Sequence, residues 1–162
     1  MIEALKKYAG SYRLGSIKPT EGREGPGWTG LIYMDGRLIG DAADFGNGGM
    51  TRIRIEKKED MDALVAHAKT VNFANLQYEI EGMFLEELAN YELSIKKLKA
   101  RAKKCLMQSD ETVLDRNGVA QSYSEWKCAD TPENRKAILS RNPDIKFLND
   151  ELAQWEPVKA KK

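Results

Sequence analysis

Three features of this sequence predict an α+β fold, an N-terminal antiparallel sheet packed against a long amphipathic helix. Eleven of the thirteen glycines fall between Gly10 and Gly49, with Pro19 and Pro26 among them, whereas Lys57 to Lys104 holds one glycine and no proline. The apolar period changes near Lys57 from two to about 3.6, from strand to helix. Between Trp28 and Ala43 an Asp-Gly dipeptide separates two strand-like runs, the strongest short-range signature of a hairpin. Strands gathered at one end and helices after them are the pattern of an α+β domain rather than of a parallel βαβ fold.

The hairpin pairs Trp28–Met34 (WTGLIYM) with Arg37–Ala43 (RLIGDAA). With Asp35 and Gly36 as its two turn residues, Met34 faces Arg37, Tyr33 faces Leu38 and Ile32 faces Ile39. One face then carries Trp28, Ile32, Met34 and Ile39, and the other Leu31, Tyr33 and Leu38. Both are apolar, which a sheet with one solvated side does not need, so the hairpin is either sandwiched or keeps one face for a partner. A glycine turn, Gly46-Asn47-Gly48-Gly49, leads to a third strand within Met50–Glu56 (MTRIRIE), with Ile53 and Ile55 on one face and Arg52 and Arg54 on the other.

Asp60 is placed to cap a short helix whose Met61, Leu64, Val65 and Ala68 form one stripe. A longer helix is predicted from Asn75 to Lys104, with Leu76, Ile80, Met83, Leu88, Tyr91, Ile95, Leu98 and Ala102 spaced in threes and fours and Gly82 as a point of bending or breakage. Its Glu79, Glu81, Glu86 and Glu87 come first and its lysines and Arg101 last, the order that suits the helix dipole. Cys105–Gln108 and Ser122–Cys128 read as two short strands, with Asn117-Gly118 turning between them. Thr131-Pro132 and Asn142-Pro143 each offer an N-cap followed by proline, so two short helices should start there, the second burying Ile145, Leu148, Leu152 and Trp155. Pro157 and the Lys-Ala-Lys-Lys end are expected to fray. The expected organisation is one domain over 1–162: β-rich to 56, helical to 104, short strands to 130, helices to 156.

Composition limits the chemistry. The 162 residues carry 26 Lys and Arg against 25 Asp and Glu, a formal net charge of +1, so any binding to nucleic acid must come from a local patch. No apolar run is long enough to span a membrane and the N-terminus lacks a signal-peptide pattern, which makes the cytoplasm the expected compartment. Cys105 and Cys128 form neither a CxxC pair nor a disulfide framework, and with His67 as the one histidine no zinc spacing exists. A reduced pair is expected even if antiparallel strands make the thiols neighbours. The same single histidine removes the usual general base of a triad, which points away from catalysis, and neither metal nor cofactor is expected.

Asp44-Phe45-Gly46 spells the magnesium-binding tripeptide of protein kinases, but the phosphate loop, strand lysine and catalytic loop that must accompany it are missing. Gly46 to Gly49 lacks the spacing of a P-loop or a dinucleotide turn, although Arg52 and Arg54 nearby would complete an anion site. Lys96, Lys97, Lys99, Arg101, Lys103 and Lys104 make a basic helix end, either a solvated terminus or a face that tracks phosphates. His67, beside an apolar stripe, reads as a hydrogen-bonded structural histidine, and Trp28, Trp126 and Trp155 as core. The long helix is a structural spine whose near-heptad seam also offers a route to a homodimer.

The run W-x-G-x-h-Y-x-D-G-R from Trp28 to Arg37, the G-N-G-G turn, the acidic-to-basic helix and the T-P-E segment at Thr131–Glu133 together resemble small uncharacterised proteins of bacteriophages and other mobile elements. The resemblance implies origin in such an element and action in the host cytoplasm as a non-catalytic inhibitor of host defence or modifier of a host enzyme. The first functional expectation is accordingly a binding protein that occupies a surface of a larger host protein, a nuclease or a CRISPR complex, through Tyr33, Asn47, Arg52 and Arg54. The second is a nucleic-acid-binding module using Arg52, Arg54 and the basic helix end. The third is a nucleotide sponge or small enzyme with the glycine turn and Arg52 as its phosphate site.

Overall fold

The structure, a computed structural model, describes residues 1–71, 75 and 77–158. It is α+β. In chain order its elements are α1 (Ile2–Ala9), β1 (Tyr12–Glu21), β2 (Pro26–Met34), β3 (Arg37–Asp44), β4 (Arg52–Ile55), α2 (Lys58–Thr70), α3 (Ile80–Ala102), β5 (Leu106–Leu114), β6 (Ala120–Trp126), α4 (Pro132–Leu139) and α5 (Leu148–Ala153). The chain gathers into two compact units, one built on Ala9–Leu93, the other on Met1–Tyr8 and Ser94–Glu156.

In the unit of Ala9–Leu93, four antiparallel strands lie in the order β1-β2-β3-β4. Asp35 and Gly36 turn the hairpin with φ of 50° and 76°, the left-handed pair that matches the twist of the flanking strands. Met34 faces Arg37 and Tyr33 faces Leu38 as expected, but Ile32 faces Gly40, and Ile39 becomes the extra residue of a bulge. The reason is room: a Cβ at position 40 would lie 2.1 Å from the Arg54 carbonyl oxygen of β4, so the residue opposite Ile32 is the one without a side chain. β1 was not expected. Its apolar alternation, Tyr12 and Leu14, stops at Gly15, and Ser16 (φ 51°) and Pro19 break the pattern where the strand shifts register against β2.

Helix α2 starts at Lys58, and Asp60 is not its cap: Lys57 holds that place without a side-chain bond. Asp60 sits in the first turn, 7% exposed, where Arg37 donates Nη1 and Nη2 to its two carboxylate oxygens at 2.9 and 2.7 Å. This fork ties the helix to the first residue after the hairpin turn and holds the Asp60 carboxyl below its usual range. Leu64 and Ala68 are buried and Met61 and Val65 half-buried, as their spacing requires.

Helix α3 begins at Ile80 rather than Asn75, because Asn75 and Glu79 take φ of 55° and 56°, which no α-helix passes through. Leu76 lies outside the described residues. The helix runs through Gly82 without a break. Its early buried residues are Phe84, Leu85, Leu88 and Ala89, whereas Met83, expected on the buried stripe, is exposed. Phe84 meets the rings of Tyr12 and His67 edge-on, with centroids 5.8 and 5.0 Å apart, and Glu92 accepts from Arg13 Nε at 2.7 Å, so β1 and α3 are joined by ring packing and an ion pair.

In the other unit, α1 occupies a stretch expected to be β-rich, and Ile2 and Leu5 are among its buried side chains. β5 and β6 form an antiparallel pair in which β5 runs longer than predicted, to Leu114, and β6 keeps the predicted length but starts and ends two residues earlier. Asp115 and Gly118 (φ 75°) make the turn between them, Asp115 Oδ1 accepting from the N–H groups of Asn117 and Val119. Cys105 and Cys128 lie where the strands meet and both are free thiols, Cys105 pushed up in pKa chiefly by burial. Thr131 caps α4, accepting from Asn134 N at 3.2 Å with Pro132 at the first helical position, as predicted.

The last helix starts not at Pro143 but at Leu148. Asn142-Pro143 makes only a turn, and Ile145 is half-buried outside any helix. Two anchors delay the helix. Phe147, buried in extended conformation, packs its ring 6.0 Å from Trp126 with the Arg135 guanidinium 5.0 Å from its centre. Asn149, also buried, accepts from Met107 N at 2.8 Å and donates to the carbonyls of Cys105 and Ala102 at 3.0 and 3.2 Å, satisfying the end of α3 and the start of β5 with one amide. Leu148, Leu152 and Trp155 are buried, as expected.

Candidate interaction surface

At one end of the four-stranded sheet the β1–β2 turn and the β3–β4 loop are locked together by one backbone bond and one bond to the Asn47 side chain. Glu24 N–H donates to Gly46 O at 2.8 Å, Arg23 N–H to Asn47 Oδ1 at 3.0 Å, and Gly22 N–H to Gly25 O at 2.9 Å. The loops approach so closely that side chains are excluded: a Cβ at Gly22 would lie 2.0 Å from Phe45 O, one at Gly27 2.3 Å from Asp44 O, and one at Gly46 2.2 Å from Gly25 O. Gly46 and Gly48 also take φ of 62° and 68°, open to glycine at no steric cost. Asp44 Oδ1 accepts from Gly46 N at 2.8 Å, so the Asp-Phe-Gly tripeptide serves as a local turn.

This lock displays apolar side chains to solvent. Phe45 is 49% exposed and Met50 69% exposed, on either side of the glycines. The start of α3 lies against the end of the same loop, since a Cβ at Gly82 would sit 3.4 Å from Thr51 Cβ, and the next residue, Met83, is 42% exposed. Tyr78, just before the helix, is 81% exposed. The surroundings are acidic: segments 22–25, 44–52 and 79–87 carry Glu24, Asp44, Glu79, Glu81, Glu86 and Glu87 against Arg23 and Arg52. Burial, and then the charges of Asp44 and Glu87, raise the Glu86 carboxyl above its usual range.

Of the residues singled out in the sequence, Asn47 and Arg52 lie at this end and are exposed, Asn47 through an oxygen already used by Arg23. Arg54 is exposed but paired, its Nε donating at 3.0 Å to Asp41, its partner across β3 and β4. Tyr33 is not a surface residue. It is 3% exposed and its ring lies over Gly15, where a Cβ would come within 2.8 Å of it; the second apolar face of the hairpin is thus partly covered by the sheet's own tyrosine. What stays open on that side is Leu38, in a depression of about 720 Å³ shared with Leu31, Asp41, Arg54 and Met61. Phe45, Met50 and Met83 escaped the sequence reading because Phe45 was absorbed into a tripeptide, Met50 into a strand and Met83 into a helical stripe.

The basic helix end is divided. Arg101 is held by Glu125 through three hydrogen bonds of 2.6 to 3.0 Å, and Lys99 Nζ donates to Trp155 O, whereas Lys96, Lys97, Lys103 and Lys104 are exposed. A polar groove of about 460 Å³ beside β5 is lined by Gln108, Asp110, Thr112, Ser124, Asp144 and Lys146, and the Asp110 carboxylate is already satisfied by the Thr112 hydroxyl and N–H. Among the described residues no group of three or more His, Cys, Asp or Glu is placed to hold a metal, and no helix is long and apolar enough to cross a membrane. Compared with protein-family models, curated proteins and solved structures, the chain matches none of them.

Proposed function

We propose that this chain is a non-catalytic binding protein that acts by covering a surface of a larger protein, with the locked end of the four-stranded sheet as its contact face. The single observation behind this reading is that Phe45 and Met50 are held out to solvent by a loop whose backbone is fixed by glycine contacts. A loop that buries Gly46 and exposes the phenylalanine beside it gains nothing in folding from that arrangement. It gains in binding, because aromatic and Met side chains are favoured at contact surfaces and a rigid loop loses little freedom when it docks. The resemblance to mobile-element proteins extends the proposal to its target: a component of host defence, a nuclease or a CRISPR complex.

The test is co-purification from host cells with a tagged chain, comparing the wild type with a Phe45→Ser, Met50→Ser variant and with a Lys96→Glu, Lys97→Glu variant, each checked for folding by circular dichroism. A protein retained by the wild type and the lysine variant but lost from the Phe45/Met50 variant is the expected outcome. Loss with the lysine variant alone transfers the function to the basic helix end and makes nucleic acid the partner to pursue.

A further inference from the structure

We propose that the segment docking on Phe45, Met50 and Met83 is a basic amphipathic helix, with Lys or Arg beside its apolar anchors. This rests on the preceding proposal that the locked end binds protein, and it names the chemistry of what binds there.

Two observations converge. The apolar part is rich in Met, whose unbranched, polarisable side chain adapts to the varied faces that helices present. The rim is acidic in a chain that is almost neutral overall, six carboxylates to two guanidinium groups over the three segments that build the surface. Five of the six, Glu24, Asp44, Glu79, Glu81 and Glu86, appear in no ion pair among the described residues, whereas Asp41, Asp60 and Glu92 of the same unit are each bound by an arginine. Glu86, three residues along the helix from Met83, is moreover half-buried, and its charged form is disfavoured by that burial and then by repulsion from Asp44 and Glu87, which an incoming cation would relieve. A neutral apolar partner would leave that repulsion in place, and an acidic one would increase it. Phosphate is disfavoured here for the same reason, which separates this surface from the lysines at the far end of α3.

The experiment is an NMR titration of the ¹⁵N-labelled full chain with two synthetic amphipathic peptides of about 18 residues, one Lys/Leu and one Glu/Leu with identical apolar positions. The Lys/Leu peptide should shift the amides of Phe45–Arg52 and Glu81–Glu87. Its affinity should fall about tenfold in a Met50→Ser, Met83→Ser variant and by a similar factor in a Glu81→Gln, Glu86→Gln variant. Met50 and Met83 are exposed, so their replacement tests the surface with little effect on folding. Equal binding of the Glu/Leu peptide at these amides overturns the charge preference while leaving the apolar contact face standing. Shifts confined to other amides, or no shifts with either peptide, overturn the basic-helix assignment, and the co-purification experiment, which uses no peptide, then judges the contact face on its own.

Discussion

The glycine-locked end of the four-stranded sheet and the Asn149 clip in the other unit solve the same problem, pinning a loop to a neighbouring element, by opposite means. At the lock, the Glu24 N–H bonds the Gly46 carbonyl and Asn47 takes the Arg23 N–H, and the absence of side chains at Gly22, Gly27 and Gly46 lets the two loops come this close. At the clip, one buried side chain serves three backbone groups, drawn from the end of α3, the connection after it and β5. The first leaves the loop's own side chains free to face outward, as Phe45 and Met50 do, while the second draws its residue inward and leaves nothing to display. A binding loop therefore belongs with the first construction and a core joint with the second.

The comparison can be broken most forcefully at Gly46. A Gly46→Ala chain must fit a Cβ 2.2 Å from the Gly25 carbonyl and hold alanine at φ 62°, and should lose about 4 kcal/mol in urea unfolding. Gly49→Ala is the control. Its Cβ would meet nothing within 4 Å and its φ is not positive, so it should change stability by less than about 0.5 kcal/mol. Equal effects at the two positions would show that the lock is not what holds the loop.

Asn149→Leu sharpens the other half. It keeps the volume but orphans the Met107 N–H and the Ala102 and Cys105 carbonyls, and should cost about 3 kcal/mol. Hydrogen exchange at the Met107 amide, which Asn149 protects, should accelerate more than exchange in β2 and β3.

These two regions also explain what could be read in advance. The turns at Asp35-Gly36 and at Gly46 to Gly49, on opposite ends of the sheet, were legible because both act locally, through φ. The bulge at Ile39 was not, since it depends on how closely β4 approaches Gly40, a contact between residues fourteen positions apart. β1 hid behind Gly15, Ser16 and Pro19, which speak against a strand locally and are tolerated at a sheet edge with a register shift. The clip left no trace, because an asparagine near a helix start is read as a cap or a surface residue and its three partners lie more than forty residues away. Tyr33 was misplaced for a related reason: alternation assigns a face, but only Gly15 across the sheet decides that the face is filled.

A smaller effect is expected at Arg135, which binds Asp130 and Asp150 and covers the Phe147 ring. Arg135→Ala should cost about 1 kcal/mol, most of it surviving in high salt because the ring contact is screened less than the ion pairs. A loss abolished by salt would assign the role to charge alone and leave Phe147 anchored by Trp126.

The smallest effect, and the one that joins stability to binding, is at Glu86. Its carboxyl is raised in the folded chain by burial and then by Asp44 and Glu87, so between the unfolded and folded pKa values the folded state holds more protons than the unfolded one. Stability therefore falls as pH rises through that window, and above it the full penalty of the charged form remains. Glu86→Gln removes the charge, so the variant should melt above the wild type at neutral pH, with the gap closing as pH falls through the carboxylate range and Glu86 becomes protonated. Asn149 itself offers no such handle, because its amide does not titrate. If Glu86→Gln is also the variant that weakens the Lys/Leu peptide, the locked end keeps a carboxylate at a cost to its own stability, which is what a surface selected to meet a cation would do. A variant that melts at the wild-type temperature across the whole pH range would mean that the Glu86 charge is not penalised, and the repulsion at Glu86 would lose its part in choosing the partner.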